Sequence, residues 1–254
     1  MKNIYNFDGS ILLQVPITEK AKWERDLSTC NYIQLPFNDG KKRRLPAGSY
    51  IVHTYYIDSV RKVTRRFLLL DPYEPEQADE MSWKYAPEFQ HPEMILGRVP
   101  FYIKTKNSKN EDIKQTKFPY VDTITNCANL ITKFLNDELK LENCGWTVVL
   151  QNVSASSIKV EFNGLDFRSA LTAISNAIGN GCEWHIDYDN EVIYLGNVVI
   201  EGNVVIGDIY RTEDGKTLNK NTETLCSIDY KQPKNNKCWD IETCEKVKHL
   251  FKDI

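Results

Sequence analysis

Apolar and polar residues alternate in short runs through the first seventy or so positions. Ile4-Tyr5-Asn6-Phe7 alternates, Asp8-Gly9 has the composition of a type I′ turn, and Ile11-Leu12-Leu13-Gln14-Val15 resumes an apolar run that Pro16 ends. This pattern predicts a hairpin. Tyr32 to Phe37, Ile51 to Ile57 and Arg61 to Leu70 read as further strands, punctuated by Asn38-Asp39-Gly40, Leu45-Pro46-Ala47-Gly48 and Asp71-Pro72. Only Glu19 to Leu27 has a spacing that suits a helix. Short strands at this spacing predict a β-barrel or sandwich.

Five prolines (Pro72, Pro75, Pro87, Pro92, Pro100) fall within residues 71–100. That density excludes a long helix and leaves room only for short strands. Phe101 to Thr105 reads as a closing strand, and the polar run Asn107 to Lys117 as a linker or exposed loop.

A different rhythm follows. Ile124, Cys127, Ala128, Ile131, Phe134, Leu135 and Leu139 recur at helical intervals, with Asp122 as the expected N-cap and Gly145 where the chain leaves the helix. Trp146 to Leu150 and Ile158 to Phe162 read as strands. A second amphipathic helix starts near Asp166, carries Phe167, Ala170, Leu171, Ile174, Ala177 and Ile178, and stops at Gly179-Asn180-Gly181. Glu183 to Tyr188 and Val192 to Gly196 then form a hairpin. The resulting order, α-β-β-α-β-β, is that of a compact α+β module. Beyond Gly196, Val198 to Ile206 is strand-like, and a short helix is expected at Ile241 to Phe251. The expected organisation is α+β but mostly β: a β-barrel-like domain over 1–106, an α+β domain over 118–200, and a poorly defined extension over 201–254.

Composition narrows the function classes. A hydrophobic fraction of 41% and a charged fraction of 26% suit a soluble globular protein with a real core. A net charge of −3 marks no general affinity for nucleic acid or anionic membranes. No apolar run has the length of a signal peptide or a membrane span. The seven cysteines (Cys30, Cys127, Cys144, Cys182, Cys226, Cys238, Cys244) include no CxxC pair, so reduced thiols in a cytoplasmic protein are expected.

Candidate chemistry is sparse. The phosphate-loop, dinucleotide, zinc-protease and hydrolase signatures are absent. His53, His91, His185 and His249 are widely spaced and read as structural. Cys182 with His185 is the one local pair that could serve nucleophilic catalysis, or a metal together with Asp187. Strand alternation instead gives Trp184 and Ile186 a core face and leaves Glu183, His185 and Asp187 on a solvated one. Glu74, Glu76, Asp79 and Glu80 read as a solubilising loop, and Lys41 to Arg44 as a charged turn. Exposed Trp83, Tyr85 and Phe89 could form a stacking platform for carbohydrate. The pattern assigns no catalytic, cofactor-binding or metal-ligating residue.

Four stretches carry a family resemblance. Ile4 to Ser10 with Leu12 to Pro16 resembles the first hairpin of phage and prophage tail hub (baseplate hub) proteins of gut anaerobes. Leu45-Pro46-Ala47-Gly48-Ser49-Tyr50 is similar to their turn into the next strand, and Asn143 to Val148 to their Gly-Trp strand after a first helix. Phe167 to Ile174, followed by Glu183-Trp184-His185-Ile186 and Val192 to Gly196, resembles their most specific signature. The resemblance implies a barrel-like hub domain carrying an α+β domain, with Trp146 and Trp184 plugging the α+β core. It implies a structural, non-enzymatic role as a homo-oligomeric ring, commonly a trimer, between the tail tube and a spike or fibre. Such a protein assembles in the bacterial cytoplasm and ends in the virion tail, without nucleic acid, cofactor or membrane span. The alternatives are a tail-associated peptidoglycan hydrolase and a carbohydrate-binding module. Family members usually run well beyond this length, and residues 71–116 match them poorly.

Overall fold

The alternating N-terminal residues form the expected hairpin: β1 (Lys2–Tyr5) pairs antiparallel with β2 (Ile11–Val15). The structure is a computed structural model, and it describes residues 1–16, 21–25, 31–56, 61–153, 155–196, 209–211 and 217–219. The hairpin turn is not type I′. Asn6 N–H donates to Ser10 O (2.8 Å) and Gly9 N–H to Asn6 O (3.0 Å), and Gly9 takes φ 87°. That is a type I turn closed by a glycine bulge, which leaves Asp8 free to accept from Ser10 N–H at 2.9 Å.

The chain is mostly β-structure and divides into two compact units, the first Met1–Ile95 and the second beginning at Leu96. In the first unit, β3 (Lys22–Arg25), β4 (Asn31–Gln34), β5 (Phe37–Asp39), β6 (Tyr50–Tyr56) and β7 (Lys62–Leu68) follow the hairpin. The proline-rich segment then supplies β8 (Glu76–Asp79), β9 (Ser82–Tyr85), β10 (Glu88–Gln90) and a 3-10 helix over Pro92–Gly97. Where helical spacing was read at residues 19–27, the described part is a strand. Trp23 stands opposite Ile33 in the ladder, so sheet pairing overrides the local pattern; residues 17–20 and 26–30 lie outside the described residues.

Seven strands form one sheet in the order β2-β1-β6-β7-β10-β4-β3, and β5, β9 and β8 form a second, smaller one. The large sheet is a curled half-barrel. Four strand spacings separate β3 from β6, about 19 Å on a flat sheet. Yet the Trp23 ring on β3 lies 4.8 Å from that of Tyr55 on β6, so the sheet closes on its own inner face. Ile4, Val15, Ile51 and Phe67 fill that face with buried apolar side chains.

In the second unit, β11 (Ile103–Lys106) pairs with β12 (Asp112–Gln115). Two expectations change here. Residues 107–111 turn a hairpin, with Asn107 Oδ1 accepting from Lys109 N–H and Glu111 N–H, so the segment read as a linker is part of this unit. Phe101 closes no barrel strand: its ring packs within 5.1 Å of Phe162 and 4.9 Å of Phe134 in the second unit's core.

Next come β13 (Lys117–Thr123), α1 (Ile124–Lys133), a π-helical turn Phe134–Leu139, β14 (Thr147–Gln151), β15 (Ser157–Asn163), α2 (Phe167–Ile178), β16 (Glu183–Asp187) and β17 (Val192–Gly196). The expected α-β-β-α-β-β order is present, preceded by β13, which pairs with β15. Thr123, not Asp122, caps α1 by accepting from Asn126 N–H, while Asp166 caps α2 as expected. Strand β17 pairs parallel with β14 and antiparallel with β16. Trp146 and Trp184 are buried, and so is Ala170 on α2. Of the extension over 201–254, only the strands β18 (Ile209–Arg211) and β19 (Thr217–Asn219) are described, and they pair antiparallel. The strand expected at Val198–Ile206 and the helix expected at Ile241–Phe251 lie outside the described residues.

Candidate functional site

The densest set of polar groups in the first unit is a hydrogen-bonded chain inside the half-barrel. Trp23 Nε1–H donates to Asn31 Oδ1 at 2.7 Å, and Asn31 Nδ2–H donates to Glu93 Oε1 at 2.6 Å. An indole can only donate and a carboxylate only accept, so these partners fix the orientation of the Asn31 amide. Glu93 N–H donates to His91 Nδ1 (3.2 Å), and His91 Nε2 lies 2.8 Å from the Tyr55 hydroxyl. Since Nδ1 accepts, a neutral His91 carries its proton on Nε2 and donates it to Tyr55. The Glu93 Oε2 atom is 3.9 Å from Nδ1, close enough to stabilise the ring if it takes a second proton.

These five residues come from β3, β4, β6 and the segment after β10, so the chain of bonds stitches the curl together. Asn31, Tyr55, His91 and Glu93 are all buried. A buried carboxylate and amide are tolerated only when hydrogen-bonded, and here each has a partner. Proton relays elsewhere use the same residue types, but this chain of bonds joins four separate segments of the first unit. Its arrangement holds strands in place. His91 was read from the sequence as structural, but no local pattern linked it to Asn31, which lies sixty residues earlier.

The other sequence candidates are scattered. Cys182 Sγ reaches Ser175 Oγ on α2 at 3.8 Å, and Trp184 Nε1 reaches Thr172 on the same helix, whereas His185 stacks on Tyr194. Strand alternation therefore sends Cys182 toward the helix and His185 to the opposite face of the sheet. Burial pushes the Cys182 thiol up, keeping it protonated. His185 is 9% exposed, so the solvated outer face expected for Glu183, His185 and Asp187 is wrong at its centre, where the Tyr194 ring covers the imidazole. Among the described residues, no group of three or more His, Cys, Asp or Glu could hold a metal ion.

Tyr85 and Phe89 are 0% exposed, packed in the core of the first unit, which removes the alternative of an aromatic platform with Trp83. Tyr85 stacks on Phe37 at 4.4 Å, and its hydroxyl bridges the Lys41 and Arg43 backbone. The basic run is drawn into local contacts: Arg43 with Asp39 (3.3 Å), Arg44 with Glu74 (3.1 Å), and Lys42 over the Trp83 ring. Strand β8, which carries Glu76 and Asp79, is exposed throughout, as a solubilising segment should be. His249 and Cys30, Cys226, Cys238 and Cys244 lie outside the described residues. Among the described residues, no helix is long and apolar enough to cross a membrane.

No family model, curated protein or solved structure matches the chain.

Proposed function

We propose that this chain is a structural subunit of a phage or prophage tail hub, acting through protein–protein assembly. One observation carries the reading: the half-barrel sheet is left open at β2. That strand pairs with β1 alone among the described residues, and Ile11 on it is 54% exposed. Its sequence, Ile11 to Val15, holds no charge and no proline, the usual devices that keep an edge from recruiting another chain. An edge of that kind is suited to burial in an assembly.

The ordered motifs over residues 4–196 support the same reading, as does a β-rich unit followed along the chain by an α+β module. The internal bonding of the polar chain from Trp23 to Tyr55 is what a rigid ring component needs. The partners are further copies of the chain, in a ring such as a trimer, together with tube and spike or fibre proteins. The place of action is the bacterial cytoplasm during assembly and then the tail.

Mass spectrometry of purified tail particles tests the proposal. The chain is expected at a fixed ratio to the tube protein. Intact particles lacking it, from cells that express it, would contradict the reading.

A further inference from the structure

Beside the polar chain from Trp23 to Tyr55, the inner face of the half-barrel carries a row of basic side chains. Lys2 on β1 lies two residues before buried Ile4 and opposite Val15, so it faces inward. Tyr5 pairs with Tyr50; carried three residues along the antiparallel strands, that register brings Lys2 beside His53 on β6. His53 in turn stands directly opposite Arg65 on β7. Three basic side chains thus run side by side across three neighbouring strands.

Half-burying an ammonium group costs free energy unless an anion meets it. No ion pair reaches Lys2 among the described residues. Burial alone draws its ammonium below the ordinary lysine value. Burial, and then the neighbouring Lys2 charge, hold His53 below the ordinary histidine value. Glu93, on the inner side of the same sheet, is engaged by Asn31 and His91. The row is also open to an incoming group. Lys2 and His53 are only partly buried, and the Trp23 ring, edge-on to His53 at 5.7 Å, is 37% exposed.

We infer that Lys2 and His53 form a site for a compact oxyanion, a carboxylate or a phosphate, at the rim of the half-barrel. The Lys2 ammonium supplies a charge and up to three donors, His53 supplies an N–H, and the Trp23 indole walls one side. A bound anion offsets the cost of half-burying the Lys2 ammonium. The site does not depend on the assembly role proposed above.

The test is thermal unfolding of the full chain with rising inorganic phosphate and, separately, acetate, at constant ionic strength set with chloride. A saturable rise in Tm is expected with at least one of the two anions. Phosphate alone, carboxylate alone or both identifies the source. Lys2→Met and His53→Gln are each expected to weaken the apparent affinity about tenfold or more, whereas Lys159→Met, on exposed β15 positions, leaves it unchanged. Should a variant not fold, the His53 imidazole resonances of the unaltered protein are followed during the same titrations and are expected to shift. Three results would each overturn the site: no saturable response, an equal response in Lys2→Met, or His53 resonances unmoved at saturation.

Discussion

Asn31 shows how one side chain holds a tertiary feature together. Its amide connects an indole on the terminal strand β3 to a carboxylate beyond β10, and both bonds are short. Asn31→Leu keeps the volume but removes both bonds, leaving Glu93 buried with one fewer donor. A buried charged group that loses its partner costs about 2–4 kcal/mol. Urea unfolding is expected to show a loss of that size for Asn31→Leu. A neutral substitution would mean the polar chain does not hold the curl. At this scale the sequence was least legible: Trp23, Asn31, Tyr55, His91 and Glu93 come from separate elements, and no spacing rule brings them together. Tyr85 and Phe89 failed as surface aromatics for a related reason, since a strand's alternation leaves open which face is inward until the neighbouring sheet is known.

Turns and pairings set the next scale, and here local chemistry is open to measurement. At the β8–β9 turn, Asp79 accepts from Ser82 Oγ–H (2.6 Å) and Met81 N–H (2.9 Å), bonds that hold its carboxyl below the usual range. A depressed folded value means the turn's stabilisation is present above the unfolded value, about 3.9, and is lost as pH falls through the lower folded value. Stability measured against pH is expected to fall less steeply in acid for Asp79→Asn than for the unaltered chain; superimposable profiles would remove Asp79 from the acid response. Across β14 and β17, Gly196 sits at φ 126°, and an added Cβ would run into the Gln151 carbonyl of its parallel partner. Gly196→Ala is therefore expected to cost about 1–3 kcal/mol or more from backbone strain alone, seen as a lower midpoint in denaturant. An unchanged midpoint would show that the pair can separate without loss.

Elements were also where the sequence spoke most clearly. Both helices and the alternating β15 lie where periodicity placed them, because each has one buried and one open face; the β16–β17 hairpin lies there too, although His185 makes both faces of β16 buried at its centre. Strand β13 was hidden by Pro119 and by Val121, which is exposed. The helix expected near residue 22 became β3, because pairing with β4 outweighed a weak local pattern.

For the whole molecule, the decisive feature is the open edge at β2 and what covers it. In the proposed ring, a second copy of the chain would cover this uncharged terminal strand. Light scattering coupled to size exclusion, over a range of concentrations, tests this most directly. A closed oligomer, such as a trimer, is predicted for the unaltered chain, with a shift toward monomer when Ile11→Lys places a charge on the edge. A chain that stays monomeric at every concentration would contradict it.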